Sequence, residues 1–280
     1  MPGRRVGGNP APVWLDANGL STATMQGLAR TSGHESVFVL DPSDGSSRFQ
    51  MRYFVPAHEM EMCGHATIAA LWLLHRRKDW DGAPTTIQTA SGSVRGRVVD
   101  GMVEISQPRA TVTPVGDALV RDIAQCLRVE TGQIVAPVLN AATSRVKTLI
   151  RLASPETLHA LQPDLAGVEA LCDRLGSTGL YPFAVSGLGA AGPSVSARQF
   201  PKSSGYPEDP ATGIAASALA WGLRELNLAS DENALLTIHQ GEAMASPSSI
   251  FVRLPAADEP EQICWLRGDA HDMEDGDERQ

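Results

Sequence analysis

The sequence predicts an α+β chain of two similar domains, each a curled β-sheet or small barrel around one central helix, with the active site between them. Three observations predict this. Two turns, Glu59-Met60-Glu61-Met62-Cys63-Gly64 and Glu208-Asp209-Pro210-Ala211-Thr212-Gly213, each run straight into an apolar stretch. Those stretches, Ile68 to Leu74 and Ile214 to Trp221, have almost no polar face, and a helix that is apolar all round is enclosed rather than amphipathic. Short strand patterns flank both, and Ile-Ala-Ala stands near each helix start, a match that Ala-rich helices also reach by chance and that adds only a little to the case for a duplicated fold.

The elements follow in order. Residues 12–15 and Ser36–Leu40 read as strands. Between them, Ser21 to Arg30 reads as a helix, N-capped by Ser21 or Thr22, with Met25, Leu28 and Ala29 inward. Phe49–Phe54 alternates and stops at Pro56. The first central helix runs from Gly64 to about Arg77, where Arg76, Arg77 and Lys78 suit its C-terminal dipole. Thr85–Ala90, Ser93–Val99 and Met102–Ser106 read as strands, with Asp100-Gly101 as the hairpin turn of the last two. Then come a helix at Leu119–Leu127, strands at Gln133–Leu139 and Val146–Leu152, and a helix opened by Ser154-Pro155-Glu156 with Pro at its first position. Strands at Tyr181–Val185 and Val195–Phe200 precede the second central helix, and strands at Ala234–His239 and Ile250–Leu254 follow it. The expected domains are 1–109 and 110–268, with a last strand near 263–268 free to pack with the first. The acidic tail 269–280 is expected to be disordered.

Composition narrows the function. The 280 residues carry a net charge of −9 and a pI near 5.2, which argues against a nucleic-acid or anionic-membrane surface. Cys63, Cys126, Cys172 and Cys264 are scattered with no CxxC pair, so neither a zinc site nor a disulfide frame is expected. No secretion signal or apolar run of about 18 residues appears, so a cytoplasmic protein is expected.

The two helix starts direct their amides at the turns, and each offers a small anion site. Together they would grip a carboxylate or a developing enolate, which points to proton transfer on a small acid. Glu35 follows the flexible Gly33 at the end of an apolar strand, where a carboxylate is suited to shuttling a proton; the plain alternative is a solvated loop residue. His65 at a helix start would be a neutral donor, or a helix-capping histidine. Asp209 would hold the substrate, or simply N-cap the helix. Cys63 fits a small buried residue at a tight turn. Glu59 and Glu61 read as mainly structural.

Five motifs in order carry a resemblance: Gly8-Asn9-Pro10-Ala11-Pro12-Val13; Gly33-His34-Glu35-Ser36-Val37; Arg52-Tyr53-Phe54-Val55-Pro56 with Glu59 and Cys63-Gly64-His65-Ala66-Thr67; Arg198-Gln199-Phe200 with Gly205 and Glu208-Asp209-Pro210-Ala211-Thr212-Gly213; and Gln240-Gly241 with Met244. The chain resembles the PhzF-like family of the diaminopimelate epimerase/proline racemase superfamily. The resemblance implies two epimerase-like domains and a cofactor-independent enzyme that moves protons on small carboxylated molecules. It gives the base to Glu35 and supporting roles to His65 and Asp209. Gly64, Cys63, Thr212, Gly213, Ile214 and Asn9 would bind substrate, with no metal and no cofactor.

Racemases of the superfamily set two thiols across the substrate. Cys63 matches the first, and no Cys stands near Pro210, so a two-thiol inversion is not expected. The strand that usually precedes the GNP turn is absent or very short. His34 replaces a small hydroxyl residue beside Glu35, and Ile214 replaces a polar serine of phenazine-type members. The expected reaction is therefore a double-bond shift on a smaller or more apolar unsaturated acid or amino acid, as in antibiotic and other secondary-metabolite biosynthesis, by a homodimer. The alternatives are an epimerase using Cys63 with an unlike base, and a non-catalytic small-acid-binding protein.

Overall fold

The computed structural model describes residues 7–189, 192–203, 206–229, 235–256 and 258–272. Gly205, Ala234 and the tail beyond Asp272 lie outside them, as does any strand before the GNP turn. The chain divides into two compact units. Pro10–Ile105 joins the segment from Arg267 onward, and Ser106–Leu266 joins the described residues before Pro10.

The first unit begins with β1 (Val13–Trp14), α1 (Thr22–Ser32) and β2 (Ser36–Leu40). Ser21 caps α1 by accepting from the Thr24 amide, and Gly33 ends it at φ 72°, a left-handed stop that glycine takes without steric penalty. There follow β3 (Phe49–Phe54), β4 (Glu59–Met60), α2 (Gly64–Arg76), β5 (Thr85–Thr89), β6 (Gly92–Val99) and β7 (Met102–Gln107). The sheet order is β1-β2-β3-β5-β6-β7, with β4 off this path and paired to the end of β3 at Tyr53 and Phe54. β1 joins β2 and β3 joins β5 in parallel, and the other pairs are antiparallel. Asp100 and Gly101 have φ of 50° and 77°, as the hairpin turn requires.

The sheet wraps α2 from several sides. Leu71 lies over Gly96 of β6, where a Cβ would stand 2.6 Å from its methyl, and Ile68 lies against Gly268. Between α1 and the sheet, Trp14 stacks on Phe38 at 4.5 Å and Phe54 meets Phe38 edge-on at 5.4 Å. Enclosure of α2 is incomplete. Ala69, Trp72 and Leu73 are only half-buried, and the Arg76 guanidinium lies 5.1 Å over the Trp72 ring. The apolar period therefore overstated the burial of this side, which a long cationic side chain covers instead.

The second unit opens with β8 (Thr111–Pro114), α3 (Asp117–Leu127), β9 (Ile134–Ala142), β10 (Val146–Leu152), α4 (Pro155–His159) and α5 (Leu165–Leu175). It continues with β11 (Gly179–Gly189), β12 (Gly192–Ala197), β13 (Phe200–Pro201), α6 (Gly213–Glu225), β14 (Leu235–Gln240), β15 (Ser248–Arg253) and β16 (Cys264–Gly268), within which the unit boundary falls. The order β15-β14-β12-β11-β10-β9-β8 mixes parallel and antiparallel pairs. Here the predicted enclosure is complete, since every α6 residue from Ala215 to Leu223 is buried. Gly222 lets Leu149 of β10 approach, and Gly213 does the same for Leu266. α3, α4 and α5 pack around Ile123, Leu127, Leu158, Leu171 and Phe200. Sequence reading missed α5, β4 and β8. In α5, Gly167 weakens the local helical signal and tertiary burial of Val168, Leu171, Cys172 and Leu175 supplies the stability.

Candidate active site

Each unit carries one cluster of the predicted residues. In the first unit, Glu35 comes from the loop between α1 and β2, and Cys63 and His65 come from the start of α2. The Cys63 thiol donates to Glu35 Oε2 at 3.3 Å and lies 3.4 Å from His65 Nδ1. His65 Nε2 stands 3.4 Å from the same carboxylate oxygen. Carboxylate, thiol and imidazole thus form a closed triangle, each within hydrogen-bonding distance of the other two. Cys63 is buried, whereas the Glu35 and His65 side chains keep 21% and 20% exposure, so the triangle has one wet side.

Local chemistry holds this geometry. Ser32 Oγ donates to Ala29 O, Ser36 Oγ donates to His34 O, and the two hydroxyls meet at 3.2 Å, which fixes the tight loop carrying Glu35. At α2, Thr67 donates from both its amide and its hydroxyl to Cys63 O, at 3.0 and 2.7 Å. The Thr67 hydroxyl in turn meets the Tyr53 hydroxyl at 2.7 Å. Tyr53 is fully buried, and burial pushes its phenol pKa well above the ordinary value, so it stays neutral. Cys63 is the N-cap of α2 and makes no side-chain cap bond. Pairing of Arg52 with Glu59, at 2.7 Å from both Nε and Nη2, ties β4 to β3 just before this turn and gives Glu59 a structural role.

In the second unit, Asp209 is the centre. Asn9 Nδ2 donates to its Oδ1 at 3.2 Å, the Thr212 hydroxyl donates to its Oδ2, and the Ala211 amide reaches Oδ1 at 3.4 Å. The N-cap of α6 is Thr212, without a side-chain cap bond, so Asp209 closes the turn ahead of the helix instead of capping the helix itself. Gln240 Nε2 donates to Asp209 O at 2.6 Å and to Thr212 Oγ1 at 3.1 Å, while Tyr181 donates to Gln240 Oε1 at 2.9 Å. Burial, then the Asp209 charge, push the Tyr181 phenol far above its ordinary range. Gly213 and Ile214 form the half-buried first turn of α6.

Sequence reasoning missed the supports. Tyr53 and Thr67 stand within a quoted motif, as does Gln240, but their hydrogen bonds have no sequence signal. Lys147 on β10 had none at all. It is 7% exposed, and burial brings its ammonium down to about 8, against the pull of Asp209. Among the described residues no helix is long and apolar enough to cross a membrane.

The Glu35–Cys63–His65 triangle stands at the start of α2, within a unit whose sheet packs on that helix. The family model "Phenazine biosynthesis-like protein" (PhzC-PhzF) matches residues 4–276, and the chain belongs to this family. A Deinococcus radiodurans protein named an uncharacterized isomerase is 33% identical over 88% of this chain and 82% of its own length. The isomerase YddE of Escherichia coli K12 is 32% identical over 91% and 88%. Among solved structures, a PhzF-family phenazine biosynthesis protein of Bacillus anthracis superposes with a TM-score of 0.80 at 21% identity, covering 94% of this chain and 91% of that one. A predicted epimerase of Pseudomonas aeruginosa gives 0.76 at 26% identity, covering 95% and 91%.

Proposed function

We propose that this isomerase shifts a double bond in a small unsaturated carboxylic or amino acid, without a cofactor, by acid–base catalysis at Glu35. The Glu35–Cys63–His65 triangle supports the reading most directly. The Glu35 carboxylate takes a proton from an acidic C–H carbon, the electron pair spreads into a dienolate, and the protonated Glu35 returns that proton to a carbon further along the conjugated system. His65 and the first amides of α2, at Gly64 and after, hold the charge that develops on the substrate carboxylate. Asp209 keeps the orienting role that the resemblance gives it, with Asn9, Thr212, Gly213 and Ile214 as substrate contacts. Ile214, in place of a serine, favours an apolar substrate over the phenazine precursor. A place in antibiotic or other secondary metabolism, a cytoplasmic location and a homodimeric state complete the proposal.

Solvent-deuterium incorporation into a panel of unsaturated amino acids tests it. The wild-type enzyme should label one of them at a new carbon, and Glu35→Gln should stop the labelling while the substrate still binds. Full exchange in Glu35→Gln would remove Glu35 from the chemistry.

A second reading rests on Cys63. Its sulfur lies within hydrogen-bonding distance of both Glu35 and His65, which can take the thiol proton and make Cys63 one base of an epimerisation, with an unlike base on the opposite face of the substrate carbon. Inversion at a stereocentre with deuterium gained at the same carbon would favour it.

A further inference from the structure

The same triangle has the dimensions of a metal site. A tetrahedral zinc ion with bonds of about 2.3 Å to sulfur and about 2.1 Å to nitrogen and oxygen sets its sulfur about 3.6 Å from either lighter donor and its nitrogen about 3.4 Å from its oxygen. The observed separations are 3.3 Å for Cys63 Sγ to Glu35 Oε2, 3.9 Å for Cys63 Sγ to His65 Nε2, and 3.4 Å for His65 Nε2 to Glu35 Oε2. All three donors lie within 4.8 Å of one another, and they are the one such group among the described residues.

We infer that Glu35, Cys63 and His65 form a binding site for a thiophilic divalent cation, Zn2+ foremost, that competes with catalysis. Three donor types support that choice. A thiolate and an imidazole select zinc and its heavier congener over magnesium or calcium, and the carboxylate completes a set whose two negative charges balance the ion. Burial of Cys63 beneath the more exposed Glu35 and His65 leaves the fourth position to water on the wet side. Supporting bonds are already in place, since Thr67 and Tyr53 hold the α2 turn and Ser36 holds the Glu35 loop. Binding breaks the Cys63 S–H bond, forms the metal–sulfur bond and releases the thiol proton to solvent, so affinity rises with pH. The ion takes the Glu35 lone pair that the reaction needs, which makes a reversible inhibitor of it. This last consequence rests on Glu35 as base; the binding does not.

The test is titration of the whole protein with Cd2+ under reducing conditions, followed by the cadmium–thiolate absorbance, with Zn2+ measured against a chromophoric chelator. One Cd2+ per chain with a thiolate band is expected. Cys63→Ser should lose the band, and both it and His65→Ala should bind Zn2+ at least ~10-fold more weakly. Circular dichroism checks that each variant is folded, and Cys63→Ser changes one atom, which keeps the comparison conservative. A band that persists in Cys63→Ser arises from Cys126, Cys172 or Cys264 and overturns the inference, as does no band in the wild type. Binding that leaves deuterium exchange untouched would keep the metal site and remove Glu35 from the catalytic role.

Discussion

Arg198 holds Glu208 with both arms of its guanidinium, at 2.8 Å from Nε and 2.7 Å from Nη2, one residue before Asp209. The same side chain donates through Nη1 to Leu158 O and Leu161 O, at 3.2 and 2.9 Å. One buried cation therefore ties the end of α4 to the turn that carries Asp209. The paired side chains are only 8% and 11% exposed.

Replacing Arg198 with Met should destabilise the fold by about 3–5 kcal/mol, because Glu208 is left buried and uncompensated. Urea denaturation measures it. The double variant Arg198→Met/Glu208→Gln should recover part of that loss, and a double variant no better than the single one would contradict the pairing argument.

Lys147 predicts a dependence on pH. Its ammonium is held down to about 8 by burial, against 10.5 in an open chain. Below about pH 8 the folded and unfolded chains both carry the proton and the full cost of burying it is present. Between about 8 and 10.5 only the unfolded chain holds it, so this contribution to stability rises with pH; above 10.5 the cost is gone. The cost is about 3 kcal/mol. Lys147→Met should therefore gain most over the wild type near neutral pH, with the gain shrinking towards pH 10. Equal gains at pH 7 and pH 10 in chemical denaturation would show that burial of the charge is not the cause.

Gly241 should tolerate no side chain. It has φ +81°, and a Cβ there would stand 2.2 Å from Ser246 O and 2.8 Å from Pro210 O. Gly241→Ala costs about 1–2 kcal/mol for the left-handed backbone alone, before any clash. Because Pro210 follows Asp209, turnover should fall further than thermal stability accounts for. Normal kinetics in a Gly241→Ala enzyme would show that the turn yields without moving Asp209.

Within the triangle, Glu35→Gln should lower kcat by at least about 10²-fold, the range of a positioned general base. Cys63→Ser should retain a substantial share of the activity if the carboxylate is the base, and almost none if the thiol is. Single-substrate kinetics on an exchanging amino acid separates the two.

The central helices were legible because their apolar runs and glycine-bearing starts leave few alternatives, and of the residues the motifs named, the structure brings Glu35 and His65 together. What the sequence hides is lateral contact. Tyr53 reads as an ordinary strand residue, yet its hydroxyl meets Thr67 across the start of α2. Lys147 interrupts an apolar strand, a pattern that usually means an exposed face, and only the packing around Gly179 shows where its amine ends, 3.3 Å from the spot a Cβ of residue 179 would fill. The mutual approach of Glu35, Cys63 and His65 joins a loop to a helix across the intervening β3 hairpin, and no spacing rule encodes it. The half-burial of Trp72 likewise depends on where the sheet stops, which the helical period does not report.

The complete wrapping of α6 limits how this enzyme can change. Every residue from Ala215 to Leu223 is buried, so if substrate meets α6 as proposed, variation in preference is left to Ile214 and the turn before it. Homologues with new substrates should differ there while the buried rod behind keeps its length and its small residues.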